Sequence, residues 1–102
     1  MTERTLYGIT ALRYDNRRIV EAMMGLMDAS SARWDLRPSP TRLNEVVDRL
    51  VEGDTVITLF EDERGQLQPG PQVMVDVLPD SSETLALAEE APGRQLGDLP
   101  RF

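Results

Sequence analysis

The alternation of apolar and polar positions divides the chain into short strand-like runs around one helical stripe. Thr5-Leu6-Tyr7-Gly8-Ile9-Thr10-Ala11-Leu12-Arg13-Tyr14 mixes β-branched and aromatic residues, with Tyr7, Ile9 and Ala11 set against Gly8, Thr10 and Leu12. It predicts a first strand. Asp15-Asn16 supplies turn chemistry, since both side chains tolerate a left-handed φ. Residues 17–27 admit two readings. Ile19, Val20, Met23 and Met27 fit a helical stripe among good helix formers. Equally, Ile19, Met23 and Met27 can line one face of a strand, with Val20, Ala22, Met24 and Leu26 on the other. Gly25 weakens an already short helix and a turn precedes the segment, so the strand is the reading adopted.

Residues 28–37 read as a polar connection with Ala29-Ser30-Ser31 at its tip, carrying Trp34, the only tryptophan. Ser39 then offers an N-cap and Pro40 a first helical position. Leu43, Val46, Val47 and Leu50 follow as one apolar stripe, Glu45 and Arg49 form an i,i+4 pair, and Gly53 supplies the stop. A helix over 40–52 is predicted. Thr55-Val56-Ile57-Thr58-Leu59-Phe60 reads as a central strand, 61–65 as a charged turn and Gln68-Pro69-Gly70-Pro71 as a break. Val73, Val75 and Val77 mark one face of a strand over 72–78, and Thr84-Leu85-Ala86-Leu87 a short edge strand after the Pro79-Asp80-Ser81-Ser82 turn. In the tail over 91–102, Leu96, Leu99 and Phe102 recur every three residues, so the tail is expected to dock on its own domain. The sum is one α+β domain over 1–102: an antiparallel sheet of four to five strands packed on one helix, in ββαββ order.

Composition narrows the chemistry. At 102 residues, 40% apolar and 28% charged, the chain has the mix of one globular domain. Cysteine and histidine are absent, which removes disulfides, thiolate nucleophiles and the side chain most used as general base or metal ligand. All eleven cations are arginines, so lysine Schiff-base chemistry is excluded. A GC-rich genome accounts for that usage, with bidentate anion contacts as the alternative. No run approaches the ~20 apolar residues of a membrane helix, and Met1-Thr2-Glu3-Arg4 does not open a signal peptide. A cytoplasmic protein without membrane contact is expected. Of the net charge of −7, residues 52–102 hold eleven acids against three arginines, while residues 1–51 hold eight arginines against seven acids. Such an acidic chain is repelled by nucleic acid unless a basic patch intervenes.

The candidate sites follow from these residues. Glu61-Asp62-Glu63 clusters carboxylates but lacks the spacing of a calcium loop, so no metal is assigned. Ser30-Ser31 and Ser81-Ser82 have no base nearby in the sequence, and no glycine pattern cradles a phosphate, so no catalytic residue and no cofactor is assigned. Anion binding has candidates in Arg13, Arg17 and Arg18 at the first hairpin and in Arg33, Arg37 and Arg42 near the helix N-terminus. Asp15, Asp28, Asp35 and Glu45 interleave with them. Partner binding has Trp34, Leu96, Leu99 and Phe102.

Ile9-Thr10-Ala11-Leu12-Arg13-Tyr14-Asp15, the single Trp34 and Glu45-Val46-Val47-Asp48-Arg49-Leu50-Val51-Glu52-Gly53 together resemble a family of short bacterial proteins of unknown function, over about residues 5–60. The resemblance implies an antiparallel strand over 17–27 and carries over no catalytic or binding residue. The expected function is a small non-enzymatic interaction module that binds a protein partner, or itself, through a sheet edge or the apolar tail. The alternatives are binding of an anionic ligand or nucleic acid by the arginines, and a carboxylate-based enzyme.

Overall fold

The computed structural model describes residues 5–28 and 33–102. The Met1-Thr2-Glu3-Arg4 start and the Ala29-Ser30-Ser31 tip lie outside the described residues. The elements are β1 (Leu6–Asp15), β2 (Arg18–Asp28), β3 (Arg33–Arg42), α1 (Leu43–Val51), β4 (Thr55–Glu61), β5 (Leu67–Val77), β6 (Glu83–Leu87) and a 3₁₀ turn (Leu96–Asp98). The strands form one six-stranded sheet in the order β3-β2-β1-β4-β5-β6. Four neighbouring pairs are antiparallel, but β1 and β4 run parallel over residues 6–9 and 55–58. A parallel neighbour cannot be reached through a tight turn, and α1 supplies the crossover from β3 to β4.

This overturns the expected ββαββ arrangement of four to five antiparallel strands. The sheet is mixed, has six strands, and gains β3 where a polar connection and a helix start were expected. The two signals at Ser39-Pro40 have a second meaning. Proline fixes φ near −65°, which suits extended chain as well as a first helical turn, and it drives the preceding residue into the β region. With Pro38 and Pro40 two apart, Arg37 and Ser39 are both held extended. Lacking an N–H, proline is tolerated at a sheet edge, which is where β3 lies. The helix therefore starts at Leu43, behind an extended Arg42 that makes no side-chain capping bond. Its end is as patterned, with Gly53 at φ +97° just past the last turn. Arg49 bonds Glu52 at 2.9 Å instead of pairing with Glu45.

The segment over 17–27 is a strand, β2. The hairpin turn sits one residue later than expected, at Asn16 and Arg17, whose φ values of +53° and +66° mark the type I′ geometry of two-residue hairpins. Two bulges rearrange the faces: the register skips Thr10 on β1 and Val20 on β2. Leu12 rather than Ala11 therefore enters the core beside Ile9, and Ile19 joins Ala22 and Met24 there while Met23 faces away. The Gln68-Pro69-Gly70-Pro71 break is instead part of β5, at the irregularity between Ile57 and Leu59 in its pairing with β4.

Val46 and Val47 of α1 pack against Ile9, Leu12, Val56, Phe60, Val73 and Leu85, with Leu43 and Leu50 partly buried beside them. The sheet is rolled around this core. In a flat sheet the start of β2 and the turn after β5 would stand about 15–20 Å apart at ~4.8 Å per strand. Here Arg18 Nη2 meets Asp80 Oδ2 at 2.7 Å. The inner face of the roll holds the core and α1, and among the described residues the outer face carries no helix.

Candidate interaction surface

β1 and β2 meet on the outer face through a pair of glycines. Gly8 lies directly opposite Gly25, so neither strand presents a side chain there and the surface is hollowed. Trp34 of β3 fills the hollow. A Cβ on Gly25 would fall 2.7 Å from the Trp34 ring, and one on Gly8 would fall 3.1 Å from the same ring and 2.6 Å from Leu59 Cδ1. Met27 Sδ would stand 3.0 Å from the same Cβ on Gly8. Leu59, only 3% exposed, stands outside the inner core cluster and packs on this side.

Strand register extends the patch. Trp34 lies beside Met27, Met27 beside Leu6, and Gly8 beside Ile57, while Met23 lies between Ala11 and Pro40. Cross-strand neighbours share a face: Trp34, Met27 and Leu6 make one row that ends at Thr55, and Ile57 stands in the next row beside Gly8, so together they form one apolar patch over β3, β2, β1 and β4. On β5, Val73 and Val75 point inward, and alternation turns Met74, 48% exposed, outward. The charged row beside the patch holds both signs: Arg13 pairs with Glu21 at 3.1 Å, and Glu21 is the register neighbour of Arg42.

The arginines considered for anion binding are dispersed. Arg13, Arg17 and Arg18 lie at the β1–β2 hairpin, whereas Arg33, Arg37 and Arg42 lie along the edge strand β3. Arg42 reaches the neighbourhood of Arg13 across Glu21, and Arg37 follows Leu36, which pairs near the far end of β2. Arg18 is engaged by Asp80 and by the Ser82 hydroxyl at 3.2 Å. Beside it a cavity of about 350 Å³ opens between the hairpin and Pro79, lined by Tyr14, Asn16 and Arg17. The Ser82 hydroxyl, then Arg18, hold the Asp80 carboxyl well below the usual carboxylate range. Asp62, the centre of the acidic trio, accepts hydrogen bonds from the backbone N–H groups of Gln66 and Arg64 and from the Gln68 amide. These bonds lower its pKa against a smaller opposing effect of desolvation, so this carboxylate braces its own turn.

The tail residues are separated from Trp34. Leu99 is 3% exposed within the inner core and Leu96 packs against that core. Pro100 and Phe102 bracket Leu12: the Leu12 N–H donates to Pro100 O at 2.9 Å and the Phe102 N–H to Leu12 O at 3.2 Å. Arg13 stacks on the Phe102 ring at 4.7 Å and Arg101 on the Tyr14 ring at 4.5 Å. Sequence reasoning singled out Trp34 but not its setting of Gly8, Gly25, Met23, Met27, Ile57 and Leu59. The signal was present, because a two-residue turn at Asn16-Arg17 sets Gly8 opposite Gly25. No family model, no curated protein and no solved structure matches the chain.

Proposed function

We propose that the protein is a non-enzymatic interaction module that docks an apolar, near-neutral surface of a protein partner on the outer face of its sheet, around Trp34. The observation that carries this reading is the apolar patch of Trp34, Met27 and Leu6 in one cross-strand row with Ile57 in the next, on a face that no helix among the described residues covers. Parallel strands are ordinarily covered on both faces. The parallel pair β1–β4 is apolar on both, with Ile9 and Val56 inward and Leu6 and Ile57 outward, yet among the described residues only the inner one is covered by a helix. Trp and Met suit such a surface, one as a large rigid anchor and the other as an adaptable contact. The charge pattern agrees. The chain carries −7 overall, but the row flanking the patch sets Arg13 and Arg42 against Glu21, a local sum of +1.

An apolar fluorescent dye should bind the folded protein, and Ile57→Glu should abolish that binding while leaving the melting temperature within a few degrees. A partner cross-linked from this face should be lost with Ile57→Glu and kept with Val51→Glu, a change on the exposed side of α1. Absence of dye binding, combined with a Trp34 emission that soluble quenchers cannot reach, would sink the reading.

A further inference from the structure

The edge of β1 is shared between two partners. β4 covers it only over residues 6–9, and at Leu12 the ladder is completed by Arg101, in parallel orientation, 89 positions further along the chain. This strap fills a gap that the strands leave open. Its backbone is bonded on both sides of Leu12, Arg13 Nε donates to Phe102 O at 3.2 Å, and Leu99 enters the same core as Leu12. Leu99 is one of the buried core residues, so the core is complete only when a copy of this segment occupies the gap.

What connects the strap to β6 is slight. Residues 88–95 form no helix or strand, and they turn through the hydrogen bond from Arg94 N–H to Ala91 O with Gly93 at φ +75°. Side-chain anchorage of this connection includes Arg94 Nη1 to Pro69 O at 2.9 Å. Eight residues can span up to ~27 Å when extended. A connection opened in that way would carry the strap off its own β1 and onto that of a neighbour, where every contact just described could form again.

We propose that the gap beside β1 is an acceptor site for the 96–102 segment of a second copy of this chain, so that two molecules associate by exchanging straps. Each strap makes the same contacts in the exchanged form as in the closed one, and the two forms differ only in the connection and in the entropy of association. The occupant is fixed by chemistry. The gap takes a leucine into the core, a backbone bridge at Leu12, an aromatic ring under Arg13 and an arginine over Tyr14. A second copy presents that same series, Leu99-Pro100-Arg101-Phe102. The proposal is independent of the outer-face reading, since the gap lies along β1 beyond its pairing with β4 and opens to the core side.

A connection of about eight residues gives the closed strap an effective concentration of millimolar order, so exchange should appear in the intact chain only at about that concentration. Isotope-labelled and unlabelled chains concentrated together and diluted should yield mixed dimers by native mass spectrometry, and Ile57→Glu should not reduce them. Removing residues 90–94 deletes the turn that the closed form needs and should lower the dimer dissociation constant about a hundredfold. Added peptide of sequence Gln95–Phe102 should return that dimer to monomers. A folded monomer after the deletion, or a dimer indifferent to the peptide, overturns the proposal. Should the deletion variant fail to fold, the isotope experiment decides, and monomers alone overturn it.

Discussion

Gly8 and Gly25 face each other across the same hairpin, but they should not tolerate a methyl group equally. At Gly8 the nearest obstruction is the end of the Leu59 side chain, which can rotate. At Gly25 it includes the backbone of β3, with Leu36 O at 2.6 Å and Pro38 N at 2.8 Å. Gly8→Ala should therefore cost about 1 kcal/mol and Gly25→Ala nearer 3 kcal/mol in chemical denaturation, within the range for overpacking. Gly25→Ala should also shift the Trp34 emission, because it pushes on that ring. At Asp80 the relevant quantity is protonation. Its folded pKa lies below the unfolded one, so its stabilising contribution is complete above about pH 4 and is lost as the pH falls toward the folded value. Asp80→Asn should melt lower than the parent at pH 7, with the gap narrowing steadily from about pH 4 to about pH 2. Residue-level signals were legible where they had one meaning, as at Gly53. They misled at Ser39-Pro40, because a proline φ near −65° serves extended chain and helix alike.

Among the elements, β3 depends most on its prolines. An edge strand exposes unpaired donors and acceptors to any other strand, and proline withholds a donor. Replacing Pro38 and Pro40 together by threonine should leave a folded chain that self-associates through β3, seen as light scattering that grows with concentration. The strap has the opposite dependence. Leu99 is embedded in the core, so Leu99→Ala should cost about 2–5 kcal/mol by equilibrium unfolding, as for other buried leucines. The apolar stripe of α1 was readable from its spacing, and so was the strand character of β2. The bulges at Thr10 and Val20 were not, since a bulge leaves composition untouched and moves only the phase of the alternation. That is why Ala11 was expected to share a face with Ile9, where Leu12 does instead.

Across the whole molecule, the Cα radius of gyration of 13.1 Å is that of one compact domain of this length. The roll of the sheet sets the division of labour. By bringing Arg18 against Asp80 it closes the inner face around α1, and it leaves the apolar patch beside Trp34 on the outside. Neither the roll nor the parallel β1–β4 pair was visible in the sequence. Local patterning reports which face of a strand is apolar, not which distant strand it will meet, and β1 was assigned only antiparallel neighbours for that reason.

Of the six described strands, β1 is synthesised first and finished last. Its partners lie in the next hairpin arm, then at residues 55–58, and finally at Arg101. At a synthesis rate of about 5–20 residues per second, the stretch from Leu12 to Arg101 takes roughly 4–18 s to complete. Throughout that interval the stretch of β1 around Leu12 lacks the partner that completes its second edge. Contacts of such long sequence separation also place refolding in the slow, milliseconds-to-seconds class of sheet-dominated domains. Because this vulnerable period follows from the order in which β1 acquires its neighbours, it should respond to translation speed and to chaperones more than to any substitution on the finished surface.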